Sequence, residues 1–212
     1  MTRPPAAVIG AVLAGGRSRR FGSDKALHQV EGRPMVVRVA DALRVGGATR
    51  VVVIGGDSPA FAALDLDTVE DRWPDAGPLG GLLTALTALT ALISTDNVGT
   101  AAGADAGADD TIVVVAACDL PFVDGPTVAA LVDALRTAGS AAAVADPGRR
   151  QPLLGAWHAH AAEPVLAAAF AAGARSMDDA LGALAAAELT VVDVPVPAGL
   201  LRNVNHRSDL GG

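Results

Sequence analysis

The residues best suited to chemistry in this chain form one glycine-rich, basic stretch from Leu13 to Lys25. Its glycines, which permit positive φ and let backbone N–H groups approach an anion closely, are Gly15, Gly16 and Gly22. Its charged residues are four cations and one acid, namely Arg17, Arg19, Arg20, Lys25 and Asp24. The stretch therefore carries 4 − 1 = +3 in a protein whose formal net charge is −7. Such local charge needs an anionic partner or strong solvation. We therefore expect this stretch to be a loop that binds a nucleoside triphosphate. The alternative is a solvated turn.

Two common phosphate-binding motifs do not describe this stretch. The Walker pattern requires glycine before the lysine and a hydroxyl residue after it, whereas Asp24 precedes Lys25 and Ala26 follows it. The dinucleotide fingerprint requires a different glycine spacing. A hydride-transferring dehydrogenase is disfavoured for the same reason.

A second candidate is Asp71, which follows a short apolar strand and precedes a turn rich in glycine and proline. A carboxylate can accept hydrogen bonds from both N1–H and the N2 amino group of guanine, and a base that lacks these donors leaves its charge unpaired. Asp71 is therefore a candidate base reader, and the alternative is a surface acid at a strand end. The turn contains Gly77 and Gly81, whose backbone can face a ligand at the start of the next helix.

A third candidate is Asp119, which follows the buried apolar run from Thr111 to Ala116. Pro121 prevents the strand from continuing, so the carboxylate is expected at the ligand-binding edge of the sheet. A carboxylate that faces a triphosphate needs a cation between them, and Mg²⁺ prefers one or two carboxylates together with phosphate oxygens. The adjacent Cys118 is expected to be a small buried residue and not a nucleophile.

Strands that alternate with helices must position these residues. Apolar runs predict strands at 7–13, 50–54, 66–69, 111–116, 141–145 and 189–194, and helical spacing predicts helices after Pro34 and at 58–64, 82–93, 124–138, 159–172 and 177–187. This alternation predicts a Rossmann-like, doubly wound α/β fold of three layers, α/β/α, with a mostly parallel sheet and helices on both faces. Trp157 is expected in the core.

Composition limits the classes of function. The chain has 212 residues, 51% of them hydrophobic, and we expect one domain over 1–212 with a flexible low-complexity insertion at about 94–110. Only 3% of residues are aromatic and the pI is near 4.9, so neither a stacking surface for nucleic acid nor general duplex binding is expected. A single cysteine excludes an intrachain disulfide and fits a reducing cytoplasm. The apolar runs are too short to cross a membrane.

The basic stretch closely resembles the signature L-A-G-G-x-S-x-R-[MF]-G-x-D-K-A-L of the MobA-like nucleotidyltransferases, whose best-known members are the molybdenum cofactor guanylyltransferases. Every defined position matches through Leu27. Three later segments are also similar to family motifs: Gly77-Pro-Leu-Gly-Gly81 to G-P-L-x-G, Cys118-Asp-Leu-Pro to C-D-[MLT]-P, and Gln151-Pro-Leu to [HQ]-P-L. The C-terminal segment is similar to F-x-N-[IV]-N-[TS]-P-x-[DE]-L, but His206 and Arg207 replace the hydroxyl residue and the proline.

The resemblance implies a nucleotide-diphospho-sugar transferase-like fold and Mg²⁺-dependent transfer of GMP from GTP to the phosphate of molybdenum-molybdopterin, with release of pyrophosphate. It implies catalytic roles for Lys25, Arg19 and Asp119, with Asp119 also binding the metal. The implied nucleotide-binding residues are Leu13, Ala14, Gly15, Gly16, Arg17, Ser18, Gly22, Lys25, Asp71, Gly77, Gly81 and Asp119. The implied acceptor-binding residues are Arg175, Asn203 and Asn205, although Arg175 could equally be a surface charge and the asparagines could equally stabilise a turn.

The implied partners are GTP and the molybdenum cofactor, together with molybdenum-insertion proteins and molybdoenzyme chaperones, for a monomer or weak oligomer. Other functions stay open, including transfer of a nucleotide to another small molecule. A molybdopterin cytidylyltransferase is the rival within the class, since Ile54-Gly-Gly-Asp57 departs from the I-N-A-N segment of many guanylyltransferases, although Asp24 stands where cytidylyltransferases commonly have proline. The rival from another class is a non-catalytic nucleotide sensor or adaptor on the same fold.

Overall fold

The computed structural model describes residues 6–15, 25–96 and 111–204. Its strands are β1 (Val8–Leu13), β2 (Gln29–Val30), β3 (Arg33–Pro34), β4 (Arg50–Ile54), β5 (Asp67–Val69), β6 (Ile112–Ala117), β7 (Ala142–Asp146), β8 (Gln151–His158) and β9 (Val191–Pro195). Its helices are α1 (Met35–Val45), α2 (Ser58–Ala62), α3 (Pro78–Asp96), α4 (Gly125–Ala138), α5 (Ala159–Ala171) and α6 (Met177–Ala186). Short 3₁₀ turns occur at Lys25–Leu27 and Ala198–Leu201.

Seven strands form one sheet in the order β5-β4-β1-β6-β8-β7-β9. Strand β8 runs antiparallel to its neighbours β6 and β7, and the other neighbouring pairs are parallel. Strands β1 and β6 are buried along their whole length, as continuous apolar runs in a doubly covered sheet should be. The predicted mostly parallel, doubly wound α/β fold is confirmed.

The strand order reverses between β1 and β6. The chain moves outward from β1 to β4 and β5, and then returns to the other side of β1 as β6. Loops that leave the carboxyl ends of two such strands diverge, which opens a crevice between them. Gly15 follows β1 and Asp119 follows β6, so both predicted site segments lie at this crevice.

Two apolar cores lie on opposite faces of the sheet. One contains residues of α1, α2 and α4, including Leu43, Phe61 and Leu131. The other contains residues of α3, α5 and α6, together with Trp157 of β8. Alternate residues of the strands supply the two cores, because successive side chains of a strand point to opposite faces. The predicted core position of Trp157 is confirmed, and Cys118 is buried as expected.

The structure corrects some predicted element bounds. Helix α3 begins at Pro78 and not at Leu82, because proline suits a first helical turn, and it continues through Asp96. Gly80 and Gly81 therefore belong to the helix. A Cβ at position 80 would lie 3.2 Å from the carbonyl oxygen of Trp73, so glycine allows a close approach there. Residues 94–96 are helical, and the rest of the predicted insertion lies outside the described residues.

A small hairpin, β2–β3, was not among the predicted elements. Its two-residue turn, Glu31-Gly32, has φ values of 51° and 76°, which are typical of hairpin turns with positive φ at both central residues. Among the helices in the described part of the chain, none combines the length and the apolar character that a membrane span requires.

Candidate active site

The crevice at the strand ends contains a cavity of about 290 Å³. Eight of the predicted site residues line it: Leu13, Gly15, Lys25, Asp71, Gly77, Gly81, Asp119 and Asn203. These residues are spread over almost 200 positions of sequence, from the end of β1 to the segment after the last 3₁₀ turn. The fold therefore brings the candidate residues from both halves of the chain to one place.

Other predicted residues lie elsewhere or outside the described part of the chain. Ala14 is buried, and its backbone N–H donates to the carbonyl oxygen of Ile54 at 3.0 Å, so it extends the sheet. The remaining members of the basic stretch and the second asparagine are outside the described residues; these are Gly16, Arg17, Ser18, Arg19, Gly22 and Asn205. Their roles stay predictions.

Two residues of the cavity lining, Lys25 and Asp119, form an ion pair. The Lys25 Nζ atom donates to Asp119 Oδ2 at 3.0 Å, and the two side chains are 13% and 21% exposed. Asp119 has this position because β6 ends at Ala117 and the chain turns there, with the Cys118 N–H donating to Leu13 O at 3.0 Å. We call Lys25, Asp119 and Asn203 the Lys25 side of the cavity.

Asn203 reaches the cavity because the next residue, Val204, is hydrogen-bonded to the backbone of Asp119. The backbone N–H of Val204 donates to the carbonyl oxygen of Asp119 at 3.0 Å. Val204 also packs with Val30 and Met35 in a small third apolar cluster. This contact brings Asn203 into the lining of the cavity that Asp119 also lines, and the acceptor-binding role of Asn203 stays a prediction.

Asp71, which also lines the cavity, is held by its own loop and by α3. Its Oδ1 atom accepts the backbone N–H of Trp73 at 3.0 Å and the hydroxyl of Thr84 at 3.1 Å. A Cβ at Gly15 would lie 3.3 Å from Asp71 Oδ2, so this second oxygen is directed toward the end of β1. We call Asp71 and Gly77, with Thr84 behind them, the Asp71 side of the cavity.

The start of α3 forms part of the Asp71 side. The backbone N–H of Leu79 donates to the carbonyl oxygen of Arg175 at 3.2 Å, which satisfies one of the N–H groups that a helix leaves unpaired at its first turn. Gly77 has φ of 85°, and a Cβ there would lie 2.6 Å from the same Arg175 oxygen. Glycine is therefore required at position 77 both by backbone conformation and by space.

Arg175 is brought near α3 through its backbone, and its side chain does not line the cavity. Its guanidinium donates to the carbonyl oxygens of Phe170 and Ala174 at 2.7 and 2.6 Å. The guanidinium also lies 4.1 Å from the ring centroid of Phe170. In this conformation the cation stabilises the end of α5, and the acceptor-binding role of Arg175 stays a prediction.

Some cavity residues were not predicted as site residues. Gln151 and Leu153 of β8 line the cavity, as does Asp75, whose φ of 64° is unusual for a residue other than glycine. Gln151 had a signal, namely the Gln-Pro-Leu segment. Thr84 does not line the cavity, but it supports Asp71. Its only signal in the sequence was a hydroxyl residue within an otherwise apolar helical run.

Asp119 is one of three aspartates that line the cavity, with Asp71 and Asp75, and its predicted metal-binding role stays a prediction. Within the described ranges, no group of three or more His, Cys, Asp and Glu side chains could hold one. Mg²⁺ is commonly bound by one or two carboxylates together with the phosphate oxygens of a substrate, and does not need a complete protein cage. A single carboxylate at the edge of an open cavity fits an ion that arrives with a nucleotide.

Comparison with known proteins gives three similarities. Residues 10–186 match the family described as the MobA-like NTP transferase domain. The chain is 39% identical over 169 residues to a molybdenum cofactor guanylyltransferase of Cereibacter sphaeroides, covering 78% of this chain and 76% of the relative. It is 32% identical over 213 residues to a probable molybdenum cofactor guanylyltransferase of Chloroflexus aggregans, covering 95% and 90%.

A solved structure shares the fold. It is the molybdopterin-guanine dinucleotide biosynthesis protein A of Archaeoglobus fulgidus, with a TM-score of 0.67 and 23% identity over 95% of this chain and 94% of that one.

Proposed function

This chain belongs to the MobA-like NTP transferase family, and on that premise we propose that it is a molybdenum cofactor guanylyltransferase. It transfers GMP from GTP to the phosphate of molybdenum-loaded molybdopterin. The observation that carries this proposal is that a fixed carboxylate, Asp71, and a Lys25–Asp119 pair face the same cavity. A base and a triphosphate of one nucleotide can then be held at the two sides.

The Asp71 side selects the base. Guanine presents two adjacent donors, N1–H and the N2 amino group, and an ionised carboxylate has only acceptors. A base that offers an acceptor at this edge would leave the charge of Asp71 unpaired, which is the costly outcome in a partly buried site. Adenine and cytosine are discriminated on this basis.

The Lys25 side serves the transfer. An oxygen of the acceptor phosphate forms a bond to the α-phosphorus of GTP, the bond from that phosphorus to the β-bridging oxygen breaks, and pyrophosphate leaves with the electron pair. The acceptor is already an anion, so no side-chain nucleophile is needed, and catalysis depends on position and charge. Lys25 has three N–H donors on a flexible stem and can bond phosphate oxygens near Asp119. Mg²⁺, when bound with the nucleotide at Asp119, would neutralise triphosphate charge.

The same function implies a cellular location and partner proteins for the enzyme. We expect a cytoplasmic monomer or weak oligomer that receives its acceptor from a molybdenum-insertion protein. Its product passes to molybdoenzyme chaperones. Arg19 and the other cations of the basic stretch are assigned to the triphosphate, and Arg175 and Asn205 to the acceptor phosphate.

Calorimetric titration with GTP, CTP and ATP, each with and without Mg²⁺, tests this proposal, followed by pyrophosphate release after addition of molybdenum-loaded molybdopterin. We expect GTP with Mg²⁺ to bind at least about tenfold tighter than CTP or ATP. Asp119→Asn should abolish most of the release, while Asp133→Asn, a matched change on the exposed face of α4, should not.

The alternatives predict other results. Tighter binding of CTP would identify a cytidylyltransferase. Nucleotide binding without pyrophosphate release would indicate a sensor or adaptor, and no nucleotide binding would contradict the enzyme assignment.

A further inference from the structure

Thr84 is a polar side chain buried where an apolar one would be expected. It lies in the second turn of α3, is 0% exposed, and its neighbours Leu82, Leu83 and Leu86 belong to the apolar core on that face of the sheet. Burial of a hydroxyl is unfavourable unless its hydrogen bonds are satisfied. Its contacts therefore show what the hydroxyl does at this position.

The Thr84 hydroxyl connects helix α3 to the loop that carries Asp71. Its Oγ1 atom lies 3.0 Å from the carbonyl oxygen of Gly80, one helical turn earlier, and 3.1 Å from Asp71 Oδ1. The same oxygen accepts the backbone N–H of Arg72 at 3.2 Å. The loop that carries Asp71 is thus bonded to α3 through one buried side chain.

Thr90 provides an internal comparison on the same helix. Its hydroxyl donates to the carbonyl oxygen of Leu86 at 2.7 Å, which is the same four-residue back-bond that Thr84 can make to Gly80. This back-bond is common for threonine in helices and needs no functional explanation. The contact with the Asp71 loop is what distinguishes Thr84.

The contact fixes the orientation of the Asp71 carboxylate. Oδ1 accepts donors from Thr84 and from the Trp73 backbone, which occupy the acceptor positions of that oxygen. The other oxygen, Oδ2, is directed toward Gly15 at the end of β1. Rotation of the carboxylate about its last torsion would break both bonds to Oδ1.

We propose that Thr84 is a positioning residue that sets guanine selectivity by holding Asp71 with Oδ2 toward the nucleotide; this rests on the proposed base-reading role of Asp71. Thr84 does not touch the base. Without its hydroxyl, Asp71 loses one of two anchors and turns among several orientations, so the contact with the N2 amino group of guanine weakens. The preference for GTP over a nucleotide without the N2 amino group then falls more than the affinity for the triphosphate group does.

The test compares GTP with inosine triphosphate, which differs by the N2 amino group alone. Affinities of both nucleotides are measured by calorimetry for the wild type, Thr84→Val, Thr84→Ala, Thr84→Ser and the matched control Thr90→Val. We expect Thr84→Val and Thr84→Ala to lower the ratio of GTP affinity to inosine triphosphate affinity by about tenfold. Thr84→Ser, which keeps the hydroxyl, and Thr90→Val should retain the wild-type ratio.

A double-mutant cycle separates positioning from a general loss of stability. Thr84→Val should have no further effect on the ratio in an Asp71→Asn background, because the carboxylate on which it acts is already gone. Melting temperatures of Thr84→Ala and Thr90→Val show whether each variant is folded. Since Thr84→Ala is smaller, it keeps the test valid if Thr84→Val does not fold.

The outcomes distinguish the two levels of the proposal. If Asp71→Asn lowers the ratio while folded Thr84 variants keep it, the positioning role is wrong and the base-reading role stands. An Asp71→Asn variant with the wild-type ratio overturns the contact between Asp71 and the N2 amino group, and with it the inference about Thr84.

Discussion

The two sides of the cavity are constructed differently. On the Asp71 side, the carboxylate and the start of α3 are held by hydrogen bonds from backbone groups and from a fully buried hydroxyl. On the Lys25 side, one ion pair of 3.0 Å joins two partly exposed side chains, one of them on a long flexible stem. The Asp71 carboxylate thus has partners in its own loop and in α3, whereas the Lys25 ammonium lies at the end of a flexible stem.

This difference suits the two tasks. Discrimination between bases depends on acceptors that do not move to fit the wrong base, so fixed geometry increases selectivity. During transfer, negative charge moves from the α-phosphoryl group to the leaving pyrophosphate, and a lysine ammonium can follow that charge. Variants on the two sides should therefore affect different measured quantities.

The largest expected effect is on the Lys25 side. Lys25→Ala removes the cation beside the reacting phosphates and should lower kcat by about 10²- to 10³-fold, or about 2.7–4 kcal/mol, as for a lost oxyanion donor. The ratio of GTP to inosine triphosphate affinity should stay at the wild-type value, because the Asp71 anchors are untouched. Pyrophosphate release and calorimetry measure the two quantities.

Lys25→Arg is the matched control, since it keeps the positive charge but replaces a compact ammonium with a planar guanidinium. We expect it to restore kcat only in part. Lys25 is the only lysine among the 16 basic residues, so reductive ¹³C-methylation labels just this side chain and the N-terminus. Its NMR signal should shift on addition of GTP with Mg²⁺. Near-normal turnover of Lys25→Ala would contradict the assignment of the transfer step to the Lys25 side.

The sequence carries enough information to predict most of the fold and the Lys25 side. Buried strands such as β6 are continuous apolar runs, and a strand followed by Asp119 and a nearby proline must end at the crevice edge. Lys25 and Asp119 could therefore be assigned to one site from local patterns and from the rule that ligands bind at the carboxyl ends of strands.

The Asp71 side could be predicted only in part, because its details depend on contacts between distant segments. Asp71 can be found from the sequence because it lies near a family motif. The hydrogen bond from Thr84 joins residues 13 positions apart across a turn, and no periodicity in the sequence indicates it. Arg175 shows the same limit. The sequence predicts that Arg175 places a cation near the site. In the structure the Arg175 guanidinium binds the end of α5, and the Arg175 carbonyl oxygen accepts a hydrogen bond from α3.

A moderate effect is expected from Gly77→Ala on the Asp71 side. The added Cβ would meet the Arg175 carbonyl oxygen at 2.6 Å and would hold a positive φ of 85°. We expect a loss of about 2–4 kcal/mol in the free energy of unfolding, from backbone strain and overpacking together. The affinity for GTP should fall because the start of α3 moves. The value of kcat, which describes turnover of the bound GTP, should change less. Denaturant unfolding and calorimetry measure these changes.

Gly173→Ala is the matched control for Gly77→Ala. Gly173 also has a positive φ, 106°, but a Cβ there meets nothing within 4 Å. This variant should lose only the conformational part, about 1–2 kcal/mol, and should keep the wild-type affinity for GTP. Equal losses of GTP affinity in the two variants would show that the contact between Gly77 and Arg175 does not support the Asp71 side.

The smallest effect concerns the loop that carries the Arg175 carbonyl. Asp179 Oδ2 accepts the backbone N–H groups of Arg175 and Ser176 at 3.0 and 2.9 Å, and the Ser176 hydroxyl accepts the Asp179 N–H at 3.0 Å. The backbone hydrogen bond from Arg175, followed by those of Ser176, lowers the pKa of Asp179 below its ordinary value of 3.8. The folded state thus favours the ionised carboxylate. Its contribution to stability is complete above the unfolded pKa and is lost as the pH falls through the lower, folded pKa.

Asp179→Asn should therefore lower the melting temperature slightly at pH 5 to 7, and this difference from the wild type should shrink as the pH falls below 3.8 toward the lowered pKa of the folded state. Asp178→Asn, one residue earlier in the same exposed first turn of α6, removes an equal charge and serves as the control. Thermal unfolding from pH 7 to pH 2.5 gives the melting temperatures, and NMR titration gives the pKa of Asp179. Because the loop touches α3 through one carbonyl oxygen, GTP affinity should change less than in Gly77→Ala. A melting difference that does not shrink as the pH falls, or an equal difference for Asp178→Asn, would assign the effect to the general charge of the helix. The hydrogen bonds of Asp179 would then not support the Asp71 side.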